Sequence, residues 1–262
     1  MANMTSSVSA SQVAGELASA TFEEIPALVE HYREDPRQQV IKACERALKR
    51  HAKELSERER VNGMYELMHE LGGDGVVVGV DEVGRGSVAG PLTVCAVCLP
   101  MEPRIWGIND SKKLTPARRE LLSVKIAEVA TAIGFCHIAP ADIDEMGMAR
   151  AIRVAVAGAV ADTGLEPDCV LMDGNPLGAV PHERDVVKGD AKIACIAAAS
   201  IMAKVTRDEM MVEYDAEYPE YHLAESKGYA SPEHIEAIRK HGLSPLHRVS
   251  FCGNFLQTER LF

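Results

Sequence analysis

The sequence predicts an α/β protein in which helices pack on a β-sheet, preceded by a helical extension. Two Val-rich stretches, 76–80 and 92–99, are joined by a Gly-rich turn and are typical of a β-hairpin. Helical patterns then alternate with short apolar strands along the rest of the chain. With 262 residues, of which 47% are hydrophobic, the chain is long enough for one or two domains with a sizeable core.

The N-terminal segment predicts helices of its own. Residues 1–20 are mostly small and polar, and we expect them to form a flexible leader. Asp35 followed by proline is a typical helix start, and Gly63 is expected to interrupt the helix that begins there. We therefore predict a helical extension over residues 21–73 and a main domain over residues 74–262.

The elements of the main domain follow the hairpin in order. One helix begins at Thr115 and runs to about 132, and a longer one covers about 141–162. Short apolar strands are predicted in AIGFCHIA, DCVLMD and RDVVKGD. A strong helix begins in AKIACIAAAS, and another begins at Ser231 and ends before Gly242.

Charge and cysteine content restrict the class of protein. The formal net charge of -11 is unusual for a nucleic-acid-binding protein, although a local basic face matters more than the sum. No stretch approaches the ~18 apolar residues of a membrane span, and the N-terminus lacks the features of a secretory signal. Seven cysteines in apolar settings indicate reduced thiols. We therefore expect a cytoplasmic protein without a membrane segment.

Two of the cysteines form a C-x-x-C pattern. Cys95 and Cys98 lie in a predicted strand, where residues three apart point to opposite faces. A shared zinc or redox site at this pair is therefore not expected.

Acidic residues stand at the ends of three predicted strands. They are Asp81 with Glu82, Asp173, and Asp190. Ligands usually bind at the carboxyl edge of an α/β sheet. Carboxylates that meet there repel one another, and oxygen-only ligands suit Mg²⁺ or Mn²⁺. The alternative is that each Asp only caps a helix or forms a turn. This alternative is strongest for Asp190, because a helix begins right after it.

A glycine-rich turn follows the first pair of acids. Gly84, Gly86 and Gly90 surround Arg85, and their spacing matches neither a Walker loop nor a dinucleotide-binding fingerprint. Glycines let a backbone approach a ligand closely, so a sugar or phosphate beside the metal ions fits this turn. The alternative is a tight hairpin turn without a ligand.

Further polar residues lie near these motifs. Ser200, Lys204 and Asp208 recur at four-residue spacing and share one helix face. Basic residues elsewhere are expected on the surface, and together they would form a positive groove on an acidic protein. They are Lys112, Lys113, Lys227, His247 and Arg248.

Six motifs in order make the chain similar to one known family. They are GVDEVGRG, NDSKKL, LMDGN, VVKGDAKIACIAAASIMAKVTRD, KGY and HRVSF, within about residues 76–253. Together they resemble the bacterial type 2 ribonuclease H family, ribonuclease HII. The resemblance implies the ribonuclease H-like fold, a mixed five-stranded sheet with flanking helices, which agrees with the five strands predicted above. It also implies that residues 74–262 are a catalytic domain ending in a helical segment.

The resemblance further implies an activity. The family cuts the RNA strand of RNA–DNA hybrids and incises duplex DNA 5′ to a single embedded ribonucleotide, leaving 3′-hydroxyl and 5′-phosphate ends. Two Mg²⁺ or Mn²⁺ ions would activate water and stabilise the leaving 3′-oxygen. We expect the chain to act on these substrates as a monomer.

Individual roles follow from the matched motifs. The four-carboxylate metal site would be Asp81, Glu82, Asp173 and Asp190, with the first three as principal ligands. Gly84, Arg85 and Gly86 would recognise the 2′-hydroxyl, and Tyr229 would pack on the sugar of the following deoxynucleotide. Lys112, Ser200 and Lys204 would hold phosphates or the geometry of the metal site. Ser87 stands where many relatives have proline, and we expect it to loosen the turn.

Three other functions fit part of the sequence. A type 3 ribonuclease H shares the fold, but it typically lacks an arginine between the two glycines and has a different fourth acid. A hybrid-binding module without catalytic activity would not need any of the four acids. A plain acidic metal-binding protein would leave the basic and glycine motifs unexplained.

The C-terminal tail is apolar at four positions. They are Phe255, Leu256, Leu261 and Phe262. We expect the tail to dock on the core, and the alternative is a short peptide that binds a replication partner such as a sliding clamp.

Overall fold

The computed structural model describes residues 8–255, which form ten α-helices and five β-strands. The helices are α1 (Ala10–Ser19), α2 (Ile25–His31), α3 (Gln38–Gly72), α4 (Pro116–Val129), α5 (Pro140–Met146), α6 (Met148–Asp162), α7 (Ala194–Glu217), α8 (Leu223–Ser226), α9 (Pro232–His241) and α10 (Val249–Cys252). The strands are β1 (Val77–Val83), β2 (Leu92–Cys98), β3 (Ala132–Ile138), β4 (Cys169–Asp173) and β5 (Glu183–Val186). Every strand therefore lies where the sequence predicts one.

Helix α1 lies inside the segment expected to be a flexible leader. Ser9 and Gln12 form a capping box, since each side chain binds the backbone N–H of the other, at 3.2 and 2.8 Å. Val13 and Leu17 are buried in a small cluster with α2 and the start of α3. The prediction of a flexible leader over 1–20 is therefore wrong for residues 10–19, where the capping box and the buried pair Val13 and Leu17 define a helix.

Helix α3 runs without interruption through Gly63, because a single glycine costs a helix only about 1 kcal/mol. The chain divides into two compact units after Arg60. Val61 and Tyr65, on the second half of α3, are buried in the core around the sheet. By packing, this division lies within α3, before the predicted boundary at residue 73.

The sheet is mixed, with strand order β3-β2-β1-β4-β5. β2 is antiparallel to both β1 and β3, whereas β4 is parallel to both β1 and β5. β1 is therefore the central strand, and its carboxyl end lies beside the carboxyl end of β4.

Helices cover both faces of the sheet. Helices α4 and α7 pack on one face, and α5 and α6 pack on the other. Cys95 lies in the first of these cores and Cys98 in the second, which confirms that they point to opposite faces. The single helix predicted over 141–162 is two helices, because Gly147 between them has a φ of 76° that interrupts the helical backbone.

The C-terminal helices form a third core. Residues of α8, α9 and α10 pack with Val88, Ala89 and Met211. This core lies under the segment that follows β1, so the C-terminal region supports the glycine-rich turn. Within residues 8–255, no helix combines the length and apolar character needed to cross a membrane.

Candidate active site

Four carboxylates gather at the carboxyl edge of the central strands. The β1–β4 register pairs Val80 with Met172, so the next residues, Asp81 and Asp173, are neighbours across the two strands. Glu82 follows on β1, and Asp190 lies in the short 3-10 helix Gly189–Ala191 after β5. The Gly189 N–H donates to Asp173 Oδ1 at 2.7 Å, which ties that helix to the end of β4.

Asp81 and Asp190 are the two buried acids of the four. Burial, and then repulsion by Glu82, raises the pKa of Asp81 to about 8. A hydrogen bond from the Ser200 side chain and one from the Glu82 N–H, at 2.8 Å to Oδ1, partly offset these effects. Ser200 is itself held by Ser111, with 2.9 Å between the two hydroxyl oxygens. Ser200 therefore contacts both Asp81 and Ser111.

Glu82 and Asp190 each have a basic neighbour. Arg85 lies 3.5 Å from Glu82, and Lys112 lies 3.8 Å from Asp190. Burial still raises the pKa of Glu82, and burial with repulsion by Asp173 raises the pKa of Asp190. Two cations thus face four carboxylates, and the site keeps an excess of negative charge.

This excess is what a divalent cation would neutralise. The donors are all carboxylate oxygens, the ligands that Mg²⁺ and Mn²⁺ prefer. Within residues 8–255, no three His, Cys, Asp or Glu side chains already surround a single point closely enough to hold an ion. Burial is the larger cause of the raised pKa of Asp81, and a cation bound beside this carboxyl would offset it. The residues therefore fit hard divalent ions by chemistry and charge.

A close helix–strand contact places Ser200 beside Asp81. Gly79 on β1 lies against the backbone of Cys195 and Ile196 on α7, and a Cβ at residue 79 would overlap both. The buried alanines that follow on α7 keep the helix close to the sheet over the next turn. The Ala-rich sequence of this helix is therefore part of how the site is built.

The glycine turn, residues 84–91, begins two residues after Glu82. Gly84 and Gly90 have φ of 82° and 81°, a conformation that side chains with a Cβ rarely adopt. Ser87 is fully buried, and its hydroxyl donates to Gly84 O at 2.9 Å. The expectation that Ser87 loosens the turn is wrong, because its hydroxyl bridges the turn internally. Arg85 and Gly86 remain exposed at the tip.

The tyrosine loop, residues 227–231, lies beside the glycine turn. The N–H groups of Val88 and Ala89 donate to Gly228 O at 2.9 and 3.1 Å. The Tyr229 side chain is 41% exposed, so one side of it is available to a ligand. The structure thus brings the tyrosine loop against the glycine turn, which itself follows Glu82 on the chain.

Lys204 lies farther along α7 from the acids. Its Nζ forms an ion pair with Asp208 at 2.7 Å, on the same helix face as predicted. Lys204 lines an open groove between α4 and α7 together with Arg119 and Lys227. No contact joins it to the four carboxylates among the described residues.

Two of the predicted groove cations are in fact internal. Arg248 is fully buried and His247 nearly so, which excludes them from direct contact with a phosphate. Sequence reasoning also missed Ser111 and gave no role to Arg207, which lies two turns after Ser200 on the buried face of α7. That seven-residue spacing is the signal that would have placed Arg207 inside. Of the apolar tail, only Phe255 lies within the described residues, and residues 256–262 lie outside them.

The sheet order and the acidic edge define a class. A mixed five-stranded sheet whose central strand carries a buried acid next to a second acidic strand is a ribonuclease H-like α/β protein. A crystal structure of the ribonuclease H2 from Pyrococcus horikoshii OT3 is similar, with a TM-score of 0.59 and 26% identity, over 70% of this chain and 99% of that one.

Sequence comparisons give the particular family. The Ribonuclease HII family model matches residues 78–254, and the model of the Ribonuclease HII N-terminal domain matches residues 9–71. The chain is 42% identical to the ribonuclease HII of Geobacillus thermodenitrificans, over 85% of this chain and 87% of the relative. It is 43% identical to that of Ruminiclostridium cellulolyticum, over 77% and 80%. The chain therefore belongs to the ribonuclease HII family of nucleases, which confirms the resemblance seen in its motifs.

Proposed function

We propose that this protein hydrolyses the RNA strand of RNA–DNA hybrids and incises duplex DNA 5′ to a single embedded ribonucleotide, leaving 3′-hydroxyl and 5′-phosphate ends. The observation that carries the proposal is the placement of four carboxylates beside the glycine turn, which is hydrogen-bonded to the tyrosine loop. The acids provide for phosphodiester hydrolysis, and the turn and ring provide for recognition of the sugar. Membership of the ribonuclease HII family supports both parts.

The acids would hold two Mg²⁺ or Mn²⁺ ions. Asp81, Glu82 and Asp173 would be the principal ligands, with Asp190 as the fourth carboxylate. Divalent ions, when bound, lower the pKa of water and stabilise negative charge on a leaving oxygen. The protein holds the acids on a rigid frame, since three lie on adjacent strands and the fourth lies in a turn bonded to β4. Lys112 has an exposed side chain and would contact a phosphate.

Recognition of RNA depends on one hydroxyl group. Gly84 and Gly86 allow backbone groups to approach the ribose, and Arg85 at the exposed tip would hold a neighbouring phosphate. A site that hydrogen-bonds the 2′-hydroxyl leaves its own polar groups unpaired when the hydroxyl is absent, so rejection of DNA reaches ~10⁴-fold. Tyr229 would pack on the next sugar, which gives a preference for an RNA-to-DNA junction.

The deciding experiment uses a labelled DNA duplex that carries one ribonucleotide. Incubation with Mg²⁺ or Mn²⁺ should give one product, cut on the 5′ side of the ribonucleotide, when resolved on a sequencing gel. An all-DNA duplex of the same sequence should stay intact. Full-length substrate in both metals, with folded protein, would refute the proposal.

We further propose a cytoplasmic monomer whose apolar tail docks on the core, with contact to a replication clamp as the alternative. All seven cysteines, which lie within the described residues, are free thiols, as expected in a reducing compartment. Under the alternative, a pull-down with the sliding clamp captures the full chain and loses the variant that lacks residues 255–262. Equal capture of both proteins would remove the clamp contact.

A further inference from the structure

Two arginines beneath the glycine turn are unusual in their burial and in their partners. Arg207 on α7 and Arg248 before α10 are fully buried, with side chains among the largest inside the protein. Within residues 8–255, neither forms an ion pair with a carboxylate. A buried guanidinium without a counter-charge is costly, and its hydrogen bonds are then made to neutral groups. Those groups are almost all carbonyls of the two loops that flank the site.

Arg207 joins the glycine turn to the tyrosine loop. Its Nε donates to Pro91 O at 2.9 Å, and its Nη2 donates to Ala89 O at 3.0 Å and to Ser87 Oγ at 2.8 Å. Its Nη1 donates to Lys227 O at 2.8 Å, on the other loop. The planar guanidinium therefore fixes the separation of the loops by four bonds in one rigid group. Its Cζ also lies 5.8 Å from the centre of the Tyr229 ring, within reach of a cation–π contact.

Arg248 fixes the same turn from another side. Its Nε and Nη2 donate to Gly90 O at 3.2 and 2.9 Å, and its Nη1 donates to Arg85 O at 3.2 Å. Its backbone N–H donates to Val88 O at 2.8 Å. One buried side chain is thus bonded to Arg85, at the tip of the turn, and to Gly90, near its end.

A histidine pair holds the backbone of Tyr229. His234 Nδ1 lies 2.9 Å from Tyr229 O, and a carbonyl only accepts, so Nδ1 carries the hydrogen. His234 Nε2 is then an acceptor, and His247 Nε2, at 3.1 Å, donates to it. His247 Nδ1 in turn accepts from the Ser244 N–H at 3.0 Å. This chain of bonds is complete with both rings neutral, and burial lowers the pKa of both histidines, that of His247 to about 4.

The packing around these groups leaves little freedom. A Cβ on Gly84 would overlap the Arg207 guanidinium, and one on Gly228 would overlap Ala89 O. The two loops therefore contact each other directly. A change in the guanidinium bonds moves one loop relative to the other, since no space is available to absorb it.

We propose that Arg207 and Arg248 are positioning residues for sugar recognition: Arg207 sets the distance between the glycine turn and the Tyr229 ring, and Arg248 holds the shape of the turn, so that a ribose and the deoxyribose after it are bound together at a fixed separation. This inference rests on the proposed function, in which the turn recognises the 2′-hydroxyl and the ring contacts the following sugar. Neither arginine touches the substrate or the four carboxylates.

The test compares two substrates in each variant. Arg207→Lys and Arg248→Lys keep the charge but lose the planar fork, and Ser87→Ala removes one acceptor of Arg207 with a smaller change in volume. A misplacement of about 1 Å costs about 100-fold, so kcat/KM on a single embedded ribonucleotide should fall by about that factor in the Lys variants. The fall on a continuous hybrid should be at least about 10-fold smaller, because there a deoxyribose does not always follow the cut ribose. Mn²⁺ affinity, measured by calorimetry, should not change.

A matched control separates positioning from general stability. Tyr65→Phe also removes a buried bond to the backbone, the 3.0 Å bond from the Ile105 N–H, but it lies away from both loops. This variant should lower cleavage of the two substrates equally or not at all. Adding Ser87→Ala to Tyr229→Ala should shift the substrate ratio no further than Tyr229→Ala alone, since both act through the same ring.

The outcomes distinguish this inference from the proposed function. A wild-type protein that cuts neither substrate overturns the proposed function. A wild type that cuts both, with a ratio unchanged in Ser87→Ala and in whichever Lys variants fold, overturns the positioning role. If both Lys variants unfold, the double variant with Ser87→Ala and Tyr229→Ala decides. Additive shifts of the ratio of kcat/KM on the two substrates would then overturn the inference.

Discussion

Replacing Asp81 by Asn should abolish cleavage and at the same time stabilise the metal-free protein. The Asp81 carboxyl is buried beside Glu82 and Asp173, which raises its pKa to about 8. Asn removes the charge but keeps a side-chain oxygen that can accept the bond from the Glu82 N–H. Loss of a proposed metal ligand should stop hydrolysis, because the ions supply most of the charge stabilisation, whereas hybrid binding should persist.

The size of the stabilisation follows from the pKa shift. The carboxyl titrates near 3.8 in the unfolded chain, so its raised pKa in the folded protein makes stability highest at acid pH. Stability then falls as the pH rises from about 4 to about 8. At about 1.4 kcal/mol per pH unit, the cost reaches about 4 kcal/mol at neutral pH. The buried Asn amide retains part of the cost, so we expect a gain of about 2 kcal/mol, or about 5 °C in Tm.

Thermal unfolding in EDTA, followed by circular dichroism, measures this effect. The gain in Tm should be clear at about pH 8 and nearly absent at about pH 5. Asp74→Asn is the control, since the Asp74 side chain is 98% exposed and its replacement should change Tm at neither pH. A Tm gain that is equal at both pH values, or a loss at the higher one, would refute the electrostatic reasoning. Near-normal cleavage by Asp81→Asn in Mg²⁺ would refute the metal assignment.

Three further predictions concern the glycine turn, the tyrosine loop and the N-terminal helices. Gly84→Ala should lower both Tm and cleavage, because the new Cβ would overlap Arg207. Gly86 faces open space, so Gly86→Ala should lower cleavage without lowering Tm. Equal losses of Tm in the two variants would contradict this prediction. Tyr229→Ala should lower kcat/KM more on a single embedded ribonucleotide than on a continuous hybrid, and an unchanged ratio would leave it as a packing residue. Deletion of residues 1–60 should leave a folded nuclease that binds its substrate more weakly, as measured by fluorescence anisotropy. Deletion of residues 1–72 also removes part of the core around the sheet, so circular dichroism should show an unfolded protein. Two equally folded products would argue against the division within α3.

The strands and the acids were predictable because their signals are local. Each strand is a short apolar run, and the acids stand at the ends of these runs or just beyond them. The meeting of Asp81 and Asp173 also follows from general rules, since adjacent parallel strands end at the same edge of a sheet. The glycine turn was predictable for the same reason, because its residues are contiguous.

The buried arginines were not predictable from local pattern. Arginine is usually a surface residue, and sequence reasoning placed Arg248 in an exposed basic groove. Its partners are carbonyls, which every residue carries, so no residue type marks them. Arg207 and Pro91 are 116 positions apart, and only the folded chain brings them together. Helix α1 was missed although its signals are local: Ser9 and Gln12 have the spacing of a capping box, and Val13 and Leu17 lie four residues apart on one face.

The contact between Gly79 and α7 restricts how this protein can evolve. The atoms nearest to a larger residue would be backbone atoms of Cys195 and Ile196. Every residue carries these atoms, so no second substitution at those positions can remove the overlap. Compensation would require the whole helix to retreat, and Ser200, about one turn farther on, would retreat from Asp81 with it. A randomised library selected for nuclease activity should therefore return only glycine at position 79. Gly63, a glycine of the same chain that faces open space on α3, should accept alanine freely.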